Sequence, residues 1–98
     1  MFDIEMVDGG IVSLDGRLDA AQAVKAQTFL DQVVGQCVLD MSKLAYISSA
    51  GLGVVMKTHK RLMTSGSGVK LINVNNHIHD IFRYSGFDKL FEIVPASD

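Results

Sequence analysis

The stretch Val38-Leu39-Asp40-Met41-Ser42-Lys43-Leu44-Ala45-Tyr46-Ile47-Ser48-Ser49-Ala50-Gly51-Leu52-Gly53 changes character twice along its length. It grows out of a short, nearly continuous apolar run, Gln36 to Met41, of the kind a central strand covered on both faces carries, and such a strand calls for helices on either side. Ser42 to Ile47 reads as a loop with an apolar Tyr46-Ile47 anchor at its end. Two hydroxyls, Ser48 and Ser49, then stand where a helix begins. Beyond them Leu52, Val55, Met56, His59, Leu62 and Met63 recur at i, i+3, i+4, i+7, i+10 and i+11, the strongest helical periodicity in the chain. Ser65-Gly66-Ser67-Gly68 stops that helix and Val69 to Val74 reads as the next strand, which predicts a right-handed βαβ crossover.

Working outward from this unit, Phe2 to Val7 alternates apolar and polar residues, Asp8-Gly9-Gly10 is a turn signal, and Ile11 to Leu14 is a second β-rich run. An opening hairpin is predicted. Asp15-Gly16-Arg17-Leu18 leads to Asp19, an N-cap with Gln22 after it, and Ala26, Phe29, Leu30 and Val33 keep helical spacing. The first helix is therefore expected from about Ala20 to Val34, ended by Gly35. On the other side, Asn75-Asn76 caps a third helix with Ile78, Ile81 and Phe82 on its inner face and Gly86 at its end, and Phe91 to Val94 supplies a last strand before Pro95. The sum is an α/β single domain over residues 1–98, a mixed sheet of four to five strands with three helices in the order ββαβαβαβ.

Composition narrows the function. With 98 residues, 48% of them apolar, the chain has material for one modest core. Net charge is −2, and the densest basic group, Lys57, Lys60 and Arg61, makes no stripe that could hold a phosphate backbone, so nucleic acid is not an expected partner. The N-terminus Met1-Phe2-Asp3-Ile4-Glu5 lacks the basic and apolar regions of a signal peptide, and no apolar run approaches the roughly 20 residues of a membrane helix. The expected location is the cytoplasm. Cys37 is the one cysteine and sits in an apolar run, as a small buried thiol would.

Catalytic and metal signatures do not assemble. His77 and His79 are two apart on a predicted helix and face different ways, and His59 lies on an apolar helix face as a hydrogen-bonded, half-buried imidazole would. Tyr46-Ile47-Ser48-Ser49-Ala50-Gly51 is no nucleophile elbow, and Gly51-Leu52-Gly53 fails the dinucleotide fingerprint because Met56 holds the third glycine's place. No base, nucleophile and oxyanion set can be put together, so neither an enzyme nor a cofactor is expected. What stands out is the start of the second helix. Ala50, Gly51 and Gly53 leave its first turn almost without side chains, and the unpaired N–H groups there favour negative charge. Two readings of that bareness stand side by side: close approach of another protein, or close packing on the chain's own sheet.

The same stretch resembles the signature of STAS domains, specifically the bacterial anti-sigma factor antagonists. Leu14-x-Gly16-x-Leu18-Asp19 is similar to the family's turn before its first helix, and Phe82-x-x-x-Gly86-Phe87-x-x-x-Phe91 to its closing segment. Position by position, Ser49 matches the family's phosphorylated serine, with Ser48 a second hydroxyl beside it, Gly51 matches its glycine, and Asp19 an aspartate near the same surface. Ser48 stands where many members have Asp and Ala50 where many have Ser or Thr.

The resemblance implies a phosphorylation-switched binding domain. Unmodified Ser49 would be offered, with Asp19, Ser48, Ala50, Gly51, Leu52 and Gly53, to a kinase-fold anti-sigma factor; phosphorylation would release it and a PP2C-type phosphatase would reset it. A monomer or weak homodimer suffices for this. The alternative is a STAS adaptor or scaffold subunit of a signalling or lipid-transport complex, with Ser49 unmodified.

Overall fold

The computed structural model describes residues 1–96. The elements are β1 (Phe2–Asp8), β2 (Ile11–Leu18), α1 (Ala23–Leu30), β3 (Cys37–Ile47), α2 (Ser49–Met63), β4 (Val69–Val74), α3 (Asn76–Tyr84), a 3₁₀ turn (Phe87–Lys89) and β5 (Glu92–Pro95). They reproduce the ββαβαβαβ order, with five strands in one mixed sheet whose spatial order is also β1-β2-β3-β4-β5. β1 and β2 form the antiparallel hairpin around Gly9-Gly10, and β2 to β5 are parallel.

Consecutive parallel neighbours advancing in one direction, joined by right-handed crossovers, place every helix on the same face of the sheet. Burial follows that rule. Val12, Leu14 and Leu18 of β2, Cys37, Leu39 and Met41 of β3, and Val69 and Leu71 of β4 are inside, in one cluster with Ala26 and Leu30 of α1, Leu52, Val55 and Leu62 of α2, and Ile78 and Phe82 of α3. Of their strand neighbours on the other face, Asp15, Arg17 and Ser42 are exposed, while Ser13 is buried. This corrects the expectation of a β3 covered on both sides: Val38 and Asp40, which made the run look continuous, are only half-buried and lie on the uncovered face.

Four boundaries also move. β2 runs on to Leu18 and β3 on to Ile47, so the predicted loop Ser42 to Ile47 is strand. It pairs with β2 as Asp15↔Lys43, Gly16↔Leu44, Arg17↔Tyr46 and Leu18↔Ile47, through register shifts after Ser13 and Gly16 that break the alternation one would read in sequence. Gly16 permits the second shift: at φ +94 its missing Cβ would lie 2.1 Å from the Met1 carbonyl oxygen, which instead accepts the Arg17 N–H at 3.0 Å. α1 is shorter than Ala20 to Val34. Asp19 does cap, its Oδ1 accepting from the Gln22 N–H at 3.2 Å, but it closes a preceding turn and the regular helix starts at Ala23. At the other end of α1 the Arg61 guanidinium takes over, donating at 2.8 Å to both the Leu30 and the Val33 carbonyls and so tying α1 to α2. Last, β5 covers Glu92–Pro95, one residue later than Phe91 to Val94, because Phe91 turns inward onto His59 and Phe82.

Several polar groups at the edge of the core are matched. His59 Nδ1 accepts the Val69 N–H at 2.9 Å, which fixes it as a linker between α2 and β4. Asn73, in the left-handed region at φ 56, donates to Asp40 Oδ1 at 3.1 Å, and Asp40 also accepts the Ser42 N–H. Partial burial raises the Asp40 pKa, yet those hydrogen bonds and Lys43 outweigh it and hold the carboxyl below its usual range.

Cys37 is fully buried, and burial, opposed in part by Arg61, pushes its pKa from 9.0 up to about 11. Native protein should therefore leave a thiol reagent unconsumed at mildly alkaline pH until it unfolds. Above pH 9.0 the unfolded chain loses a proton that the fold retains, so stability should fall as pH climbs from 9.0 toward 11. Denaturant titrations across that range check the sign, with Cys37→Ala as the control that lacks this share of the slope.

Candidate functional site

The start of α2 is built against the end of β2. Ser48 is extended (φ −88, ψ 174), its N–H donates to the Leu18 carbonyl at 2.9 Å, and its Oγ accepts the Gly51 N–H at 3.2 Å. Ser48 is thus the N-cap, half-buried and engaged. Ser49, the first helical residue, is exposed and its hydroxyl has no hydrogen-bond partner among the described residues. No acidic side chain occupies the first turn, so its unpaired N–H groups and the helix dipole present a local positive potential beside Ser49.

The difference between the two serines is measurable in stability. Ser48→Ala should cost about 1 kcal/mol through loss of the cap, whereas Ser49→Ala should stay within roughly 0.5 kcal/mol of wild type; chemical denaturation of the two variants makes the comparison.

The other residues read from sequence divide. Asp19 is half-buried and follows Leu18, whose carbonyl holds the Ser48 N–H, so it does lie beside the helix start. Ala50 and Gly53 are half-buried and reach the surface. Gly51 and Leu52 are buried, Leu52 keeping 6% exposure. A Cβ on Gly51 would sit 2.7 Å from the Leu18 carbonyl oxygen and 2.8 Å from both Ile47 Cγ1 and Leu18 Cγ. Its missing side chain is explained by packing on the protein's own strands. Gly53 is different, since a Cβ there would meet nothing within 4 Å.

Two features of the site were not read from the sequence. Arg17 lies over the Tyr46 ring at 4.4 Å, just before Ser48, a pairing set by the shifted register of β2 on β3. The second is an open groove of about 480 Å³ between α1 and α2, which begins at Ala50 beside Ser49 and continues past Gly53 to Lys57. Its opposite wall is α1, with Ala23, Val24 and Thr28. The one signal for that wall was Val24, an apolar residue outside the core spacing of α1, which is 75% exposed.

Comparison with known proteins bears on the family and the fold. A family model described as the MlaB STAS domain matches residues 5–95. BtrV of Bordetella bronchiseptica, provisionally named an anti-sigma factor antagonist, is 32% identical over 97% of this chain and 86% of its own. The anti-sigma F factor antagonist of Paenibacillus polymyxa is 31% identical over 90% of this chain and 77% of its own. Among solved structures, an anti-sigma factor antagonist from Mycobacterium paratuberculosis superposes with a TM-score of 0.81 at 24% identity, covering 97% of this chain and 85% of that one. The Bacillus cell fate determinant SpoIIAA in its phosphorylated form gives 0.65 at 23% identity over 100% and 93% of the two chains. The chain belongs to the STAS-domain family, among the bacterial anti-sigma factor antagonists.

Proposed function

We propose that this domain is an anti-sigma factor antagonist switched by phosphorylation of Ser49. The observation that carries the reading is the division of labour at the helix start: Ser48 is used by the fold, while Ser49 is exposed and unengaged on the same turn. With Ser49 unmodified, the surface formed by Ser49, Ala50, Gly53 and Asp19 docks on a kinase-fold anti-sigma factor and displaces its sigma factor. The partner then transfers the γ-phosphoryl group of ATP to the Ser49 oxygen, releasing ADP, and the hydroxyl proton goes to a base in the partner. The product adds about −1.5 to −2 charges at the contact. The helix N-terminus accommodates them without loss of the fold, because the dipole and free N–H groups favour an anion there. Docking suffers instead, through bulk, desolvation and repulsion. Hydrolysis by a PP2C-type phosphatase restores the first state. The two antagonist relatives and the phosphorylated form of SpoIIAA support this reading.

Incubation with ATP and the anti-sigma kinase, or a lysate containing it, followed by intact mass and fragmentation, tests it. The expected result is gain of one phosphoryl group, lost in Ser49→Ala and retained in Ser48→Ala. A phosphoryl group on Ser48, or none on either residue, sinks it, and the latter outcome favours an unmodified adaptor subunit.

A further inference from the structure

The groove between α1 and α2 has features that the fold itself does not use. Gly53 occupies a helix interior, where glycine weakens the helix, and unlike Gly51 it has no internal neighbour that requires it. What its missing side chain does is keep the groove floor open. Val24 stands on the opposite wall, three-quarters exposed at 75%. Lys57 closes the far end, exposed and without an ion pair among the described residues. Gln27 lines the same space: its Nε2 is spent on Asp31 Oδ1 at 2.8 Å and Thr58 Oγ1 at 3.5 Å, and its Oε1 is buried with no donor.

We propose that this groove receives an apolar segment of the anti-sigma partner bearing a carboxylate opposite Lys57, a second contact that accompanies the one at Ser49. The inference rests on the antagonist reading above. Apolar walls, an open floor and an unpaired cation define the chemistry of the occupant: small or medium apolar side chains and one acid. Ala50, shared by the groove and the Ser49 turn, makes the two contacts continuous. Because Lys57, at the far end of the groove, lies about two helical turns from Ser49 along α2, that end gives affinity that phosphorylation does not directly remove, so the modified domain keeps a weak residual hold on the kinase.

The test uses the full chain and the kinase-fold anti-sigma factor of the same organism, purified with bound ADP. Calorimetry on Val24→Asp and Lys57→Glu, both outside the Ser49 docking surface, should show binding weakened about tenfold or more, with Lys57→Arg near wild type and thermal midpoints close to wild type throughout. Amide spectra should shift at Val24, Gln27 and Thr28 on α1, which a contact confined to Ser49 would leave alone. If both groove variants bind as wild type while Ser49→Asp does not, the groove is idle and the switch stands. If the groove variants fail while Ser49→Asp binds normally, the groove stands and the switch falls. Shifts at the same α1 residues on concentrating the domain alone, abolished by Lys57→Glu, would assign the groove to a second copy and overturn the proposal. So would absence of binding by wild type.

Discussion

Ser49→Asp should bind the anti-sigma partner at least roughly 30-fold more weakly than Ser49→Ala, a loss on the order of 2 kcal/mol, since a charge set against a closely docked surface costs several kcal/mol at most interfaces. The same substitution should leave the fold intact or slightly firmer. An aspartate in the first turn of α2 faces unpaired N–H groups and the positive end of the helix, a gain of about 0.3–1 kcal/mol where no acid now stands. Loss of binding with an unchanged or raised melting temperature is thus the signature of the mechanism. Calorimetric titration together with thermal melts reads both halves. An aspartate variant that binds as tightly as wild type rejects the charge mechanism, and one that binds poorly because it melts early shows Ser49 to be structural.

Gly51→Ala should be the most damaging single change near the site. The added methyl would lie 2.7 Å from the Leu18 carbonyl oxygen, a backbone atom already holding the Ser48 N–H, and 2.8 Å from Leu18 Cγ and Ile47 Cγ1. The oxygen is backbone and cannot turn aside, and the Leu18 and Ile47 side chains are buried in the core, with little room to repack. Overpacking of this kind costs about 1–3 kcal/mol, and about 2 kcal/mol lowers the midpoint of a domain this size by roughly 10 °C. Gly53→Ala provides the contrast: its methyl meets nothing within 4 Å, so stability should rise by up to about 1 kcal/mol. Opposite shifts from two glycines on one helix, read in parallel melts, separate the glycine that the fold needs from the one it does not. Equal shifts would refute the packing account.

Element order was legible because each helix carries its own periodicity and punctuation: Asn75 caps α3 by accepting the Ile78 N–H at 2.9 Å, and Gly86 at φ 79 follows its end. Residue-level pattern was weaker where strands pair with bulges. The shifts after Ser13 and Gly16 put Leu44 and Ile47 inside and Lys43 and Ala45 outside, a spacing of three that looks like a loop. The uncovered face of the sheet was hidden for a related reason. Val38 is apolar in sequence, but strand order, which no local pattern encodes, decides whether a helix lies over it. At the site, Ser48 and Ser49 were visible as a pair and their roles were not, since only the direction of each Oγ distinguishes a cap from a free hydroxyl. Gly51 and Gly53 likewise differ by what lies under them. The α1 wall of the groove needed the packing of two helices distant in sequence.

The bond from the Ser48 N–H to the Leu18 carbonyl pins the start of α2 to β2, and the Arg61 clamp ties its last turn to the end of α1. Under the proposed switch, a phosphate at residue 49 would add charge to a helix start already pinned to the sheet, with no hinge required to carry the signal. Switching speed in that scheme would be set by encounters with the enzymes that add and strip the mark.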